Sequence, residues 1–112
     1  MEAVMGRLFE DRERAEELLF ARSEEARFLA HCNALRKLAA YAGERRGLDM
    51  QATETYAETL ISLSVEGHRD AELLEQVRAD IAARNDTIDA SEMTAVFGRC
   101  LASAAEEMRA TR

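Results

Sequence analysis

Proline is absent from the 112 residues of this chain, and glycine occurs only five times. Proline breaks helix interiors and glycine weakens them, so a chain with so few of either can be helical along most of its length. Alanine, glutamate, leucine and arginine, which are all good helix formers, dominate the remaining positions. A chain of this size can build one modest hydrophobic core. The sequence therefore predicts an all-α protein with a single core.

The first helical tract is predicted to run from about Leu8 to Arg46. Only its second half, from Phe28 onward, has apolar residues at the i, i+4, i+7 spacing of a packed helix. Gly43 and Gly47 bracket the end of this tract, where two arginines complement the negative end of a helix. We therefore expect the second half to pack and the first half to project from it.

Three shorter amphipathic helices are predicted to follow, over about residues 50 to 65, 70 to 84 and 89 onward. Asp49, Asp70 and Asp89 are expected to be their N-caps, since a carboxylate there accepts a backbone N–H. The economical arrangement is a small antiparallel four-helix bundle, because the connecting loops are short. The predicted organisation is thus a mobile N-terminal arm of residues 1–27 and a bundle domain of residues 28–112.

The arm has an unusual composition. Seven of the eight residues from Glu10 to Glu17 are charged, and Ala15 alone is apolar. Alternating charges on a helix usually form nothing more than a solvated surface. Phe9 and Phe20, however, flank this run eleven residues apart, which places both rings on one side of a helix after about three turns. A charged stretch between two aromatic anchors favours a conditional helix that orders on a partner protein.

Charge and composition argue against several other functions. The 22 acidic side chains outnumber the 15 basic ones, and no basic stripe is present that could neutralise phosphates, so nucleic acid is not expected as a partner. No apolar run reaches the ~20 residues that cross a bilayer, and no leader-like start is seen, so we expect a cytoplasmic protein without membrane insertion. Cys32 and Cys100 are expected to be small buried hydrophobes rather than a disulfide.

Catalytic and metal-binding motifs are also missing. Acidic pairs such as Glu24 and Glu25 are frequent, but no spacing indicates a pocket that would separate their pKa values. His31 and Cys32 are adjacent, so on a helix their side chains diverge by about 100° and cannot easily share a metal. We expect no enzyme activity, no cofactor and no metal, with His31 at the edge of the core and His68 in a loop.

The arm motif, Phe-x-Asp-Arg-Glu-Arg-Ala-x-Glu-x-x-Phe-Ala, resembles the N-terminus of the zeta subunit of bacterial F-type ATP synthases, a small inhibitor of ATP hydrolysis. The matching residues are Phe9, Asp11, Arg12, Glu13, Arg14, Ala15, Glu17, Phe20 and Ala21, followed by Glu24, Glu25, Arg27 and Phe28. Weaker matches continue through most of the remaining chain.

This resemblance implies a four-helix bundle whose N-terminal segment, mobile when free, becomes helical inside a catalytic alpha/beta interface and blocks hydrolytic rotation. The implied partner is the catalytic head, with its alpha, beta and gamma subunits, on the cytoplasmic side of the inner membrane. The free protein is expected to be a monomer. The implied contact residues are Phe9, Asp11, Arg12, Glu13, Arg14, Glu17 and Phe20.

The chain departs from the family pattern just after the arm. Leu29 and residues 33–35 stand where the family usually has a Lys and an Arg-Arg-Asn run, and Tyr41 replaces a Trp. Two alternative functions therefore stay open. One is a helical adaptor that keeps the fold and binds another protein through the altered surface around Leu29 to Leu35. The other is a small-ligand binder that uses Arg45, Arg46 or Arg69.

Overall fold

The computed structural model describes the backbone of residues 2–110 and the side chains of residues 6–110. Within that range the chain forms four α-helices and no strand, so the predicted all-α class is confirmed. The helices are α1 (Glu2–Arg46), α2 (Met50–Val65), α3 (Asp70–Ala82) and α4 (Ala90–Ala110). Residue 1 of the predicted arm and residues 111–112 of the predicted bundle domain lie outside the described residues.

The second half of α1 is the central element of the core. It contacts α2, α3 and α4, and α3 also contacts α2 and α4. Within the described residues no Cα atom of α2 lies within 8 Å of one in α4, whereas α1 and α3 approach both helices. The largest fully buried side chains are Leu35, Leu38, Leu60, Leu73, Val77, Ile81 and Met93. Each helix therefore contributes to one core, while the predicted antiparallel arrangement of the bundle stays a prediction.

The α1–α2 connection follows the sequence closely. Gly47 adopts a left-handed φ of 70°, and the N–H of Leu48 donates to the carbonyl of Gly43 at 2.8 Å, which closes the end of α1. Asp49 then caps α2 as predicted, because its carboxylate accepts the N–H of Ala52 at 2.8 Å. Local turn and cap chemistry is sufficient to define this corner.

Gly43 has a second role that its turn-like sequence context conceals. It lies inside α1 and is buried, and an added Cβ there would lie only 2.5 Å from the Oγ1 of Thr53 in α2. The two helices therefore approach each other closely at this glycine. A glycine expected only to help end the helix is thus also a packing residue.

The N-cap predicted for α3 is wrong by one residue. Arg69 occupies the cap position and Asp70 is the first helical residue. Glu72 accepts from the backbone N–H of Arg69 at 3.5 Å and from its Nε at 3.2 Å. Asp70 is used elsewhere, because its Oδ1 accepts from Nε2 of His31 in α1 at 2.8 Å. The Asp70 carboxylate, which the local sequence predicts to be an N-cap, thus binds a histidine 39 residues away in the sequence.

The start of α4 agrees with prediction. Asn85 has a φ of 60° and lies in the break between α3 and α4, and the carboxylate of Asp89 accepts the N–H of Glu92 at 2.7 Å. Ile88 and Met93 are both buried in the core cluster. The apolar residue before the cap and the one in the first turn therefore help to fix the direction in which α4 leaves the loop.

Two polar contacts fasten the loops and helices around this core. Arg45 donates to both carboxylate oxygens of Asp86 at 2.8 and 3.0 Å, and these hydrogen bonds hold the pKa of Asp86 below its usual range. Tyr56 donates to Asp80 at 2.6 Å. Burial, followed by this hydrogen bond, raises the pKa of the Tyr56 hydroxyl. The first contact joins α1 to the α3–α4 loop and the second joins α2 to α3.

The two cysteines are buried free thiols, as expected, at 6% and 9% exposure for Cys32 and Cys100. Burial raises the pKa of the Cys100 thiol, although Lys37 and Arg99 oppose this shift. His31 lies at the edge of the core, with its ring edge-on to Phe97, which agrees with its predicted position.

Candidate partner-binding arm

The N-terminal half of α1 extends beyond the core. Every residue from Gly6 to Glu25 is exposed, and Ala26 is the first side chain toward the C-terminus that is even half-buried. Twenty helical residues correspond to about 30 Å of free helix. The molecule accordingly measures 74 Å along its longest axis but only 27 and 26 Å along the other two. The segment predicted to be an arm is thus a helix that the rest of the chain leaves largely uncovered.

Phe9 and Phe20, the two predicted aromatic anchors, both lie on this uncovered helix. Phe9 is 69% exposed and Phe20 is 68% exposed, far above what aromatic side chains of a core show. Because α1 is continuous through both positions, eleven residues at about 100° each bring the rings to within about 20° of the same side. The two rings are therefore spaced by about 16 Å along one face and are open to a partner.

The charged residues between the rings are not used by the fold. Asp11, Glu13, Arg14 and Glu17 are all exposed, and none of them forms an ion pair in the described part of the chain. Arg12 and Glu16 form an i,i+4 pair at 3.6 Å, with side chains 80% and 69% exposed. Such exposed pairs contribute only about 0.3–0.5 kcal/mol. The predicted contact residues are thus all positioned along one accessible helix, while their role stays a prediction.

The structure adds apolar residues that the sequence argument did not single out. Leu8 and Leu18 are 65% and 52% exposed, and the neighbouring Leu19 is 64% exposed. The signal that identifies them is the charged run from Glu10 to Glu17, in which Ala15 alone is apolar, so no apolar stripe continues past these leucines. The arm therefore presents leucines beside and opposite the two phenylalanines, and it is amphipathic only weakly.

The last turns of α4 flank the root of the arm. Ala105, Met108 and Arg109 line a shallow groove of about 480 Å³ together with residues of α1. The α1 residues of this groove are Leu19, Arg22, Ser23, Ala26, Arg27 and Ala30. Leu19 is thus the first described residue of α1 that lines this groove with α4.

The three arginines of the small-ligand alternative do not converge. Arg45 binds Asp86, Arg69 pairs with Glu72, and the Arg46 guanidinium stacks over the Tyr56 ring at 4.8 Å. Within the described residues no group of three or more His, Cys, Asp or Glu side chains could hold a metal ion. None of the described helices is long and apolar enough to cross a membrane.

The fold is thus that of a packed helical domain that carries a long, exposed helix with two open phenylalanine rings. The model of one family, described as ATPase inhibitor subunit zeta, matches residues 5–107, which include both the arm and the packed domain. The chain therefore belongs to the ATPase inhibitor subunit zeta family. Its class is that of an inhibitor subunit rather than a catalytic one, and membership implies association with ATP synthase. No curated protein and no solved structure matches the chain.

Proposed function

We propose that this protein inhibits ATP hydrolysis by the F-type ATP synthase by inserting its N-terminal helix into a catalytic alpha/beta interface. In that position the helix would block rotation in the hydrolytic direction and would contact the alpha, beta and gamma subunits. Family membership supports the regulatory role. The mechanism rests on one observation above all, the twenty consecutive exposed residues of α1 with both phenylalanine rings about two-thirds open.

The physical roles divide between the rings and the charges. Phe9 and Phe20 would supply most of the binding energy, because buried aromatic side chains dominate protein interfaces. Asp11, Arg12, Arg14 and the glutamates would pair with side chains at the rim of the interface, where charges govern orientation and association rate more than affinity. Since none of these residues is needed by the core, binding can use all of them without unfolding the bundle.

The arm helix would also gain order on binding. An isolated charged helix of this length is only marginally stable in water. Here it continues directly from the packed half of α1, so it needs no new nucleus, but it can fray from its free end. We propose that the arm is conditionally helical and that residues 28–112 form an antiparallel bundle that serves as its handle, on the cytoplasmic side of the inner membrane.

Deletion of residues 1–20 tests this proposal. The core residues all lie after Phe28, so the shortened protein should retain its fold, which circular dichroism and thermal unfolding can verify. Purified catalytic head should be inhibited in steady-state hydrolysis by increasing amounts of the full protein and not by the shortened one. Retention of head binding by the shortened protein in a pull-down would contradict insertion of the arm.

One observation favours a second candidate, a helical adaptor without ATPase inhibition. Phe28 and Leu29 are 52% and 46% exposed at the root of the arm, where they form an apolar surface separate from Phe9 and Phe20. An adaptor would use this surface, and its binding would survive deletion of residues 1–20. A flat response of hydrolysis to the full protein, combined with intact binding, would favour this candidate.

A further inference from the structure

The position of α4 beside the root of the arm has a steric consequence. A crevice that encloses a helix must reach all sides of it. From Gly6 to Leu18 every side chain of α1 is exposed, and none of them lines the groove with α4. From Leu19 to Ala30, one side of the helix faces that groove, which is formed with Ala105 and Met108. A partner can therefore enclose all sides of α1 only before Leu19, and beyond it can reach the sides that α4 leaves open.

The sides of the helix can be assigned from its geometry. At 100° per residue, Leu19, Ala26 and Ala30 lie within about 40° of one another, and these are residues of the α4 groove. Phe9 and Phe20 lie about 100° away from Leu19. Among the groove residues Arg27 lies on the side of the rings, about two turns beyond Phe20. The groove thus leaves both rings open to the wall of a crevice, while α4 limits the depth of insertion.

We propose that the C-terminal end of α4 is a depth stop, which meets the rim of the partner crevice, limits full enclosure to the part of α1 that ends near Leu18, and leaves Phe20 in contact with the crevice wall on the open side of the helix. This inference rests on the proposed insertion into the ATPase head and names a second contact of the same complex. The contact surface is the last turns of α4, where Arg109 and Glu106 form an exposed ion pair at 2.6 Å, with side chains 68% and 75% exposed. A polar end of this kind suits a solvated rim rather than a buried pocket.

Single cysteines can locate the boundary of insertion. Leu18→Cys and Glu25→Cys place probes on the same side of α1, away from α4, because seven residues turn the helix by about 700°. The native Cys32 and Cys100 are buried and should give only a slow background of labelling. In complex with the catalytic head, maleimide labelling of Leu18→Cys should slow by about tenfold or more, and that of Glu25→Cys should change little, since labelling depends on access.

An insertion in the arm tests what sets this boundary. Seven helix-forming residues placed between Ala15 and Glu16 lengthen the arm by about 10 Å and shift its faces by only about 20°. If α4 is the stop, the longer tip advances and Leu18→Cys stays protected. If the depth is set by the tip, Leu18→Cys moves out of the crevice and becomes reactive. That result, measured at a head concentration that saturates the longer variant, would overturn the proposal.

A shortened α4 provides the converse variant. Removal of residues 105–112 keeps the buried Ala104 and should allow deeper insertion, so that Glu25→Cys becomes protected in the complex. Unchanged reactivity of Glu25→Cys in a shortened protein with a normal unfolding midpoint would also overturn the depth stop. Failure of the proposed function itself looks different, because Leu18→Cys in the otherwise unaltered protein would then show no protection by the head.

Discussion

Replacement of Phe9 or Phe20 by alanine should weaken inhibition strongly and leave folding unchanged. The two rings are 69% and 68% exposed, so their removal creates no cavity in the free protein. Surface changes of this kind usually alter the free energy of unfolding by no more than about 0.5 kcal/mol. In most core positions the same substitution costs about 3–5 kcal/mol. The contrast between stability and affinity is what makes these variants informative.

The expected loss of affinity follows from the exposed area. A phenylalanine buries about 150–250 Å² when enclosed, and roughly two-thirds of that area is still open at each ring. The open part is roughly 100–170 Å², which at about 25 cal/mol per Å² corresponds to about 2.5–4 kcal/mol. Full burial of a phenylalanine contributes at most about 3 kcal/mol, so we expect about 2.5–3 kcal/mol per ring. Each single variant should therefore require roughly 70 to 150 times more protein for half-inhibition.

Steady-state ATP hydrolysis by the isolated catalytic head, titrated with each variant, measures this shift directly. Phe28→Ala is the matched control, because it removes the same ring from a position that is 52% exposed and lies beyond the arm. The Phe9 and Phe20 effects should add, since the rings are about 16 Å apart. If Phe28→Ala weakens inhibition as much as the arm variants do, the assignment of the arm rings as anchors is refuted.

Three further outcomes are expected. Gly43→Ala should destabilise the protein by about 1–3 kcal/mol in denaturant unfolding, because its Cβ would lie 2.5 Å from Oγ1 of Thr53. The control Gly98→Ala, whose Cβ would have nothing within 4 Å, should be neutral or stabilising by up to about 1 kcal/mol. Asp86 has a pKa below its usual range, so its contribution to the free energy of unfolding is fully present above the ordinary carboxyl pKa and is lost as pH falls through the lowered pKa. Asp86→Asn should therefore reduce the dependence of the free energy of unfolding on pH in the acid range. An unchanged dependence would contradict this. Leu29→Lys adds a positive charge at a 46% exposed position and, if the ATPase surface nearby is acidic, should raise the association rate at low salt but not at high salt in stopped-flow binding.

The parts of the fold that depend on neighbouring residues could be predicted from sequence. The bounds of α2 and the cap at Asp89 agree with prediction, because a cap and an apolar stripe are both local signals. The start of α1 was predicted at about Leu8 and is observed at Glu2. Most residues before Leu8 are good helix formers, and Gly6 alone weakens the helix there by about 1 kcal/mol without ending it, so nothing local marks an end at Leu8.

The misplaced features depend on contacts between distant segments. Asp70 is a reasonable cap by type, and only the arrival of His31 from α1 shows that its carboxylate is used elsewhere. Gly43 is a reasonable terminator, and only the approach of Thr53 shows that it is a packing residue. In the arm, the exposure of the rings followed from a lack of apolar neighbours, whereas the groove beside Ala105 depends on how α4 docks.

Burial shows which of the positions that depart from the family pattern, among residues 33–35, could carry a surface charge. From sequence, the missing basic residues suggested a loss of surface charge. Ala34 and Leu35 are fully buried, however, and a charge at either position would have to be desolvated in the core. Only Leu29 and the half-buried Asn33 can present a charge to a partner from this region. Weaker electrostatic attraction would slow association, since exposed charges act mainly on that rate. Phe9 and Phe20, the proposed anchors, do not depend on residues 29 and 33–35. These departures from the family pattern should therefore lower the association rate more than they raise the dissociation rate.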